Sequence, residues 1–260
     1  MPIRPALSAL VLSGVVLAAA PLIPRAAGAA APLRCAAPQP GRYAVMGHGQ
    51  RAGEPVARLL LETWQADGSL HGLRLERRGS RYSETLYRGR YRALPSCRVA
   101  IQRSDGATPN PAQVVLDTAG LPRFSLGTQN DVVLISRWFR QPAGLCSASL
   151  LDGTVVSMQQ GHSRQGGRWQ ANAVVQHERW SGGRVNGLAI SSYGATIEQA
   201  TYEGTIKVEP SCLATIRQRD SVGRPYNYRA IVLGDGSGYL YLQTDPDDLT
   251  VGWLERIRNR

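Results

Sequence analysis

The chain has 260 residues and a net charge of +11 at neutral pH, with Lys207 its sole lysine, so the basicity belongs to arginine, which grips carboxylates and phosphates through paired N–H donors. Beyond the first 31 residues no apolar stretch approaches the roughly 20 residues of a membrane-spanning helix. The four cysteines contain no Cys-x-x-Cys pair, which argues against a zinc site.

Residues 1–31 read as an export leader. Arg4 supplies its positive end and Ala6–Ile23 its apolar run. Ala27-Gly28-Ala29 and Ala29-Ala30-Ala31 offer small-x-small cleavage patterns. The remainder is then exported, to a periplasmic or extracellular destination, and divides into 32–142 and 143–260 at the Gln141-Pro142-Ala143-Gly144 linker. In the first part, period-two alternation and turn signals predict strands at 42–46, 56–64, 70–76, 87–94, 99–103, 113–116, 124–128 and 132–139. In the second they predict strands at 154–158, 169–180, 185–191, 202–209, 214–219, 227–233, 239–243 and 249–254. No segment of helical length carries a helical stripe.

The two parts repeat one another. Tyr87-Arg-Gly-Arg-Tyr-Arg-Ala-Leu-Pro-Ser-Cys97 returns as Tyr202-Glu-Gly-Thr-Ile-Lys-Val-Glu-Pro-Ser-Cys212, 115 residues on. Trp64 matches Trp180 and Leu126 matches Leu242 at an offset of 116, Gly47-His48 matches Gly161-His162 at 114, and Cys35 matches Cys146 at 111. A period this long marks a duplicated domain and not a solenoid. Eight hairpin-linked strands per copy predict an all-β molecule of two tandem antiparallel up-and-down barrels, with a sandwich as the other arrangement. In an oxidising compartment the cysteines pair, and only Cys35–Cys97 with Cys146–Cys212 gives each copy the same bridge.

Gly41-x-Tyr43, Asp67-Gly68 to Gly72, Tyr87-x-Gly89-x-Tyr91 to Pro95-x-Cys97, Tyr202-x-Gly204 to Pro210-x-Cys212 and Gln243-Thr244-Asp245-Pro246 span nearly the whole chain after the leader. In these motifs it resembles a loose group of exported bacterial domains with lipocalin-like (calycin-like) small barrels. The resemblance implies a fold and an exported habitat and carries no catalytic residue.

No nucleophile elbow, phosphate-binding loop or dinucleotide fingerprint occurs, so neither an enzyme nor a cofactor is expected. His48 and His162 read as equivalent structural histidines, and Asp245, Asp247 and Asp248 as a solvated turn and not a calcium or other metal site. If the barrels are hollow, Trp64, Tyr87, Tyr91, Trp180, Tyr202 and Tyr228 are pocket candidates for a small apolar or amphipathic molecule. If they are filled, the same residues are core. The alternative partner is an anionic envelope glycan or polymer met by Arg88, Arg90 and Arg92, which alternate outward against Tyr87, Gly89 and Tyr91. Nucleic acid is not an expected partner, because the second copy lacks the basic, aromatic-interleaved row of the first.

Overall fold

A computed structural model describes residues 33–106, 109–194 and 196–257. The leader expected over 1–31 lies outside the described residues. The first copy forms β1 (Gly41–Arg51), β2 (Glu54–Trp64), β3 (Ser69–Arg78), β4 (Arg81–Leu94), β5 (Arg98–Ser104), β6 (Pro109–Leu116), β7 (Pro122–Gly127) and β8 (Val132–Gln141). After a 3-10 turn at Ala148–Leu151 the second forms β9 (Gly153–Gln165), β10 (Arg168–Ser181), β11 (Arg184–Tyr193), β12 (Thr196–Val208), β13 (Leu213–Asp220), β14 (Pro225–Val232), β15 (Gly238–Gln243) and β16 (Asp248–Arg256). Each set closes into an eight-stranded antiparallel barrel by pairing its last strand with its first. Closure leaves no strand edge unpaired, which is how all-β folds escape edge-to-edge aggregation.

The strand lattices of the two barrels superimpose residue on residue. β2 and β10 correspond at an offset of 116, β3–β5 and β11–β13 at 115, and β6–β8 and β14–β16 at 116. The first strands correct the sequence reading. Gly49 faces Leu134 and Gly161 faces Thr250, the matching residue of the last strand, so β1 and β9 correspond at 112. A Cβ on either glycine would strike the backbone of that neighbour, at Val133 O or Leu249 O, so both sites demand glycine. His48 therefore matches Gln160, and His162 matches Gln50; the two histidines are not equivalent positions.

At one end of each barrel the chain before the first strand folds across the opening and is fastened by a disulfide. Cys35–Cys97 holds the segment whose Ala36 and Gln39 amides donate to Thr118 and Gly120. Cys146–Cys212 holds the 3-10 turn, whose Leu151 is buried among Trp180, Tyr239 and Leu254. Both pairings are those the duplication requires, and two disulfides suit an oxidising compartment. Among the described residues no helix is long and apolar enough to cross a membrane.

Both barrels share one further core between them. Outward side chains of β1–β3, among them Met46, Leu59 and Leu75, pack against outward side chains of β14–β16, among them Leu240, Leu242 and Val251. Polar contacts frame this apolar patch. Arg77 donates to Pro246 O at 2.8 Å, Gln141 to Val232 O at 2.9 Å and Arg229 to Glu84 at 2.9 Å. The contact is heterologous, because β14–β16 correspond to β6–β8 of the first barrel and not to β1–β3.

Candidate functional site

A buried glutamate anchors each barrel interior. In the first, Glu62 accepts Trp64 Nε1 at 2.6 Å, Tyr87 Oη at 2.6 Å and Arg103 Nε at 2.5 Å. In the second, Glu178 accepts Trp180 Nε1 at 2.7 Å and Tyr202 Oη at 2.6 Å, with Tyr239 Oη at 3.3 Å. Each tyrosine reaches its glutamate by lying flat over a glycine on the neighbouring strand. A Cβ on Gly72 would come within 2.6 Å of Tyr87 Oη, and one on Gly187 within 2.6 Å of Tyr202 Oη. The sequence signal for this unit is Glu-x-Trp, present at both Glu62-x-Trp64 and Glu178-x-Trp180, although only the tryptophans stand out from sequence alone.

What surrounds the glutamate differs between copies. In the first barrel Arg58, Arg74, Glu76, Arg103 and Asp105 all project inward. Arg74 pairs with Asp105 at 2.7 Å and lies 3.8 Å from Glu76, and Arg103 pairs with Glu62. Arg58 is buried, and its Nε and Nη1 have no hydrogen-bond partner among the described residues. Burial, and then the charge of Arg103, push its pKa down to about 10. Burial works against the Arg103 charge too, but Glu62 and Tyr87 outweigh it and its pKa is raised. Arg103 also lies over the Tyr87 and Trp138 rings, and Trp138 meets Trp64 edge-on, so long side chains fill this interior.

At the five corresponding positions the second barrel has Val174, Ala189, Ser191, Gln218 and Asp220. Four of the five are shorter or lack charge, and all five line one cavity of about 50 Å³. It lies at the mouth formed by the β11–β12 and β13–β14 turns. Tyr193, Tyr226 and Tyr228 supply rings, and Tyr202 carries the floor toward Glu178. Glu198 and Asp220 supply carboxylates, and no lining residue is basic. Asp220 is built in, since it accepts the Val222 and Arg224 amides and Tyr226 Oη. Arg224 stands near Tyr226, Asp220 and Glu198 and offsets part of the charge of the two carboxylates. Among the described residues no arginine pairs with Glu178. Burial raises its pKa, against the hydrogen bonds from Tyr202, Trp180, Tyr239 and Gln218.

The structure thus separates the six pocket candidates. Tyr202 and Tyr228 line the cavity. Trp180 is buried behind it, and Trp64 and Tyr87 are core of the filled barrel. Tyr91 stacks on Trp64 at 4.5 Å and donates to Gln65 O. Tyr226, one of the alternating tyrosines of the second copy, lines the cavity as well, whereas Tyr193 and the two mouth carboxylates were not singled out from sequence. Arg88, Arg90 and Arg92 form an exposed row on β4. His48 and His162 do meet, despite their different lattice positions, in an apolar groove between the barrels with Val56, Val133 and Leu249. Burial lowers both pKa values, and the His162 charge lowers that of His48 further. The carboxylates of Asp245 and Asp248 serve the turn, on Asn227 and Ser163.

No family model matches the chain, and no curated protein matches it.

Proposed function

We propose that this is an exported, non-catalytic binding protein of lipocalin-like build, in which the second barrel takes a small amphipathic ligand by a cationic head group. The observation that carries this is the contrast at four of five positions on one lattice. Arg58, Arg74, Glu76 and Arg103, which fill barrel one, are replaced in barrel two by Val174, Ala189, Ser191 and Gln218, which leave a cavity beside the retained Asp220. Its chemistry points to an ammonium. Two carboxylates and tyrosine faces attract a cation, in a protein whose overall charge has the opposite sign. A cavity of about 50 Å³ is a third of one that admits benzene, so a head group enters and the apolar remainder stays at the mouth.

The test is an amide NMR titration with butylammonium, butanol and butyrate, which share chain length and differ in charge. Butylammonium shifts the signals of Ser191, Gln218 and Tyr226 and binds at least about tenfold tighter than butanol. Ala189→Arg, which copies Arg74 and places a guanidinium beside Asp220, abolishes the shifts. Glu198→Gln weakens butylammonium and leaves butanol unchanged. Equal binding of butanol and butylammonium removes the cationic specificity and keeps the pocket. Absence of binding by all three removes the pocket.

A second reading rests on the exposed row of Arg88, Arg90 and Arg92, which suits an anionic envelope polymer. Salt-sensitive retention on such a polymer that survives removal of all three arginines would dispose of it.

A further inference from the structure

The duplication has a geometric consequence outside the cavity. The inter-barrel core joins the β1–β3 face of the first barrel to the β14–β16 face of the second. Each face has a counterpart on the opposite barrel that this contact leaves largely exposed, touching it along β8 and β9, where Phe139 packs on the joint and Gln160 reaches His48. The counterpart of β14–β16 is β6–β8, and the counterpart of β1–β3 is β9–β11.

Both of these faces keep apolar residues at most of the matching positions, the exceptions being His177 for Leu61 and Asp117 for Leu233. Ile231, Leu240, Leu242, Leu249 and Val251 are buried between the barrels. Their counterparts are Val115, Phe124, Leu126, Val133 and Ile135, exposed at 51%, 52%, 57%, 77% and 48%. The row Met46–Leu59–Leu75 is matched by Met158–Val175–Ile190, aligned across β9, β10 and β11 by the same register. Those three are exposed at 37%, 54% and 44%, with Val156 and Leu188 beside them. Among the described residues sixteen large apolar side chains are exposed, and ten of them fall on these two faces. Apolar side chains gathered so unevenly on a surface mark an interaction site.

We infer that the chain assembles head to tail with copies of itself, the β6–β8 face of one copy seating on the β9–β11 face of the next. Each joint reproduces, at corresponding residues, the contact that already holds the two barrels of one chain together. The occupant is identified by that repetition, since either face is complementary to the other's template. A heterologous contact of this kind leaves one face of each sort at the ends of any open assembly. It therefore grows into a filament or closes into a ring, the smallest of which is a two-chain ring with both joints made reciprocally.

Light scattering on size-fractionated protein, purified from an oxidising compartment and run at about 0.15 M salt to screen its positive charge, tests this. The mass exceeds one chain and rises with concentration, or settles at a ring. Leu126→Arg and Val175→Arg, at exposed positions on the two faces, each reduce it to a single chain. An equimolar mixture of the two variants forms a two-chain species and nothing larger, because one intact face of each kind remains. A wild type that stays a single chain at every concentration overturns the proposal. So does an assembly that only one variant dissolves, or a mixture that fails to pair, since those outcomes indicate contact between like faces or none. Near-UV circular dichroism checks that the variants fold, and Ile135→Asp with Ile190→Asp repeats the test should either fail to.

Discussion

One carboxylate, met twice, shows how a retained residue changes its chemistry with its neighbours. Glu62 has a buried guanidinium at 2.5 Å, whereas Glu178 has only neutral donors. Removing one member of a buried ion pair strands the other, at a cost of about 3–5 kcal/mol, whereas losing a neutral hydrogen bond costs about 1 kcal/mol. Arg103→Ala is therefore expected to lower the unfolding free energy several-fold more than Gln218→Ala does at the matching position. Chemical denaturation of the two variants side by side measures the contrast, and equal losses would show that the Arg103 pair contributes no more than an ordinary hydrogen bond.

At the scale of the strand, alternation together with turn signals was enough to locate all sixteen elements, because most strands bury one face and wet the other, as in Arg98–Ser104 and Pro109–Leu116. β2 shows where that reasoning stops. It is buried on both faces, inward in the barrel and outward in the joint between barrels, so its period disappears and Arg58 and Glu62 carry no sign of pointing inward. The cavity was hidden for the same reason. It depends on which inward positions are short, and Val174, Ala189 and Ser191 are unremarkable until set against Arg58, Arg74 and Glu76 on a common register. The matched Gly-His pairs misled, because a glycine required by close strand approach lies one residue after His48 and one before His162. The segments ahead of each barrel are legible through their cysteines. Replacing Cys35 and Cys97 together with serine is expected to cost about 2–5 kcal/mol, and to raise amide exchange first at Ala36 and Gln39, whose bonds lie on the freed segment. Exchange rising evenly through β1–β8 instead would mean that the bridge supports the whole barrel.

At the scale of the whole molecule, the joint is where a response to acid is expected. His48 and His162 have pKa values lowered from 6.5 in the folded state, so the unfolded chain binds protons more readily there. Stability contributed by the neutral imidazoles is present above pH 6.5 and is lost as pH falls through the depressed folded values. Protonation also sets two like charges in a groove whose other lining side chains are mostly apolar and include no carboxylate. Glu178 titrates in the opposite sense, its raised pKa favouring the folded state as pH falls, so the comparison must be made against a variant. The expected result is that His48→Gln with His162→Gln flattens the fall in denaturation midpoint below pH 6.5. An unchanged slope would place the acid sensitivity elsewhere.

The joint also bears on the order in which the chain is made. The first barrel is complete before the second emerges, and until then its Met46, Leu59 and Leu75 stand in water. That half-made molecule already carries a face of each sort, β1–β3 and β6–β8, and so is self-complementary. The hazard is a race between neighbours: a nascent first barrel can be captured by another chain's first barrel before its own second barrel arrives. The short tether between Gln141 and Gly153 decides that race, since it keeps the rightful partner at a local concentration that a separate chain must exceed.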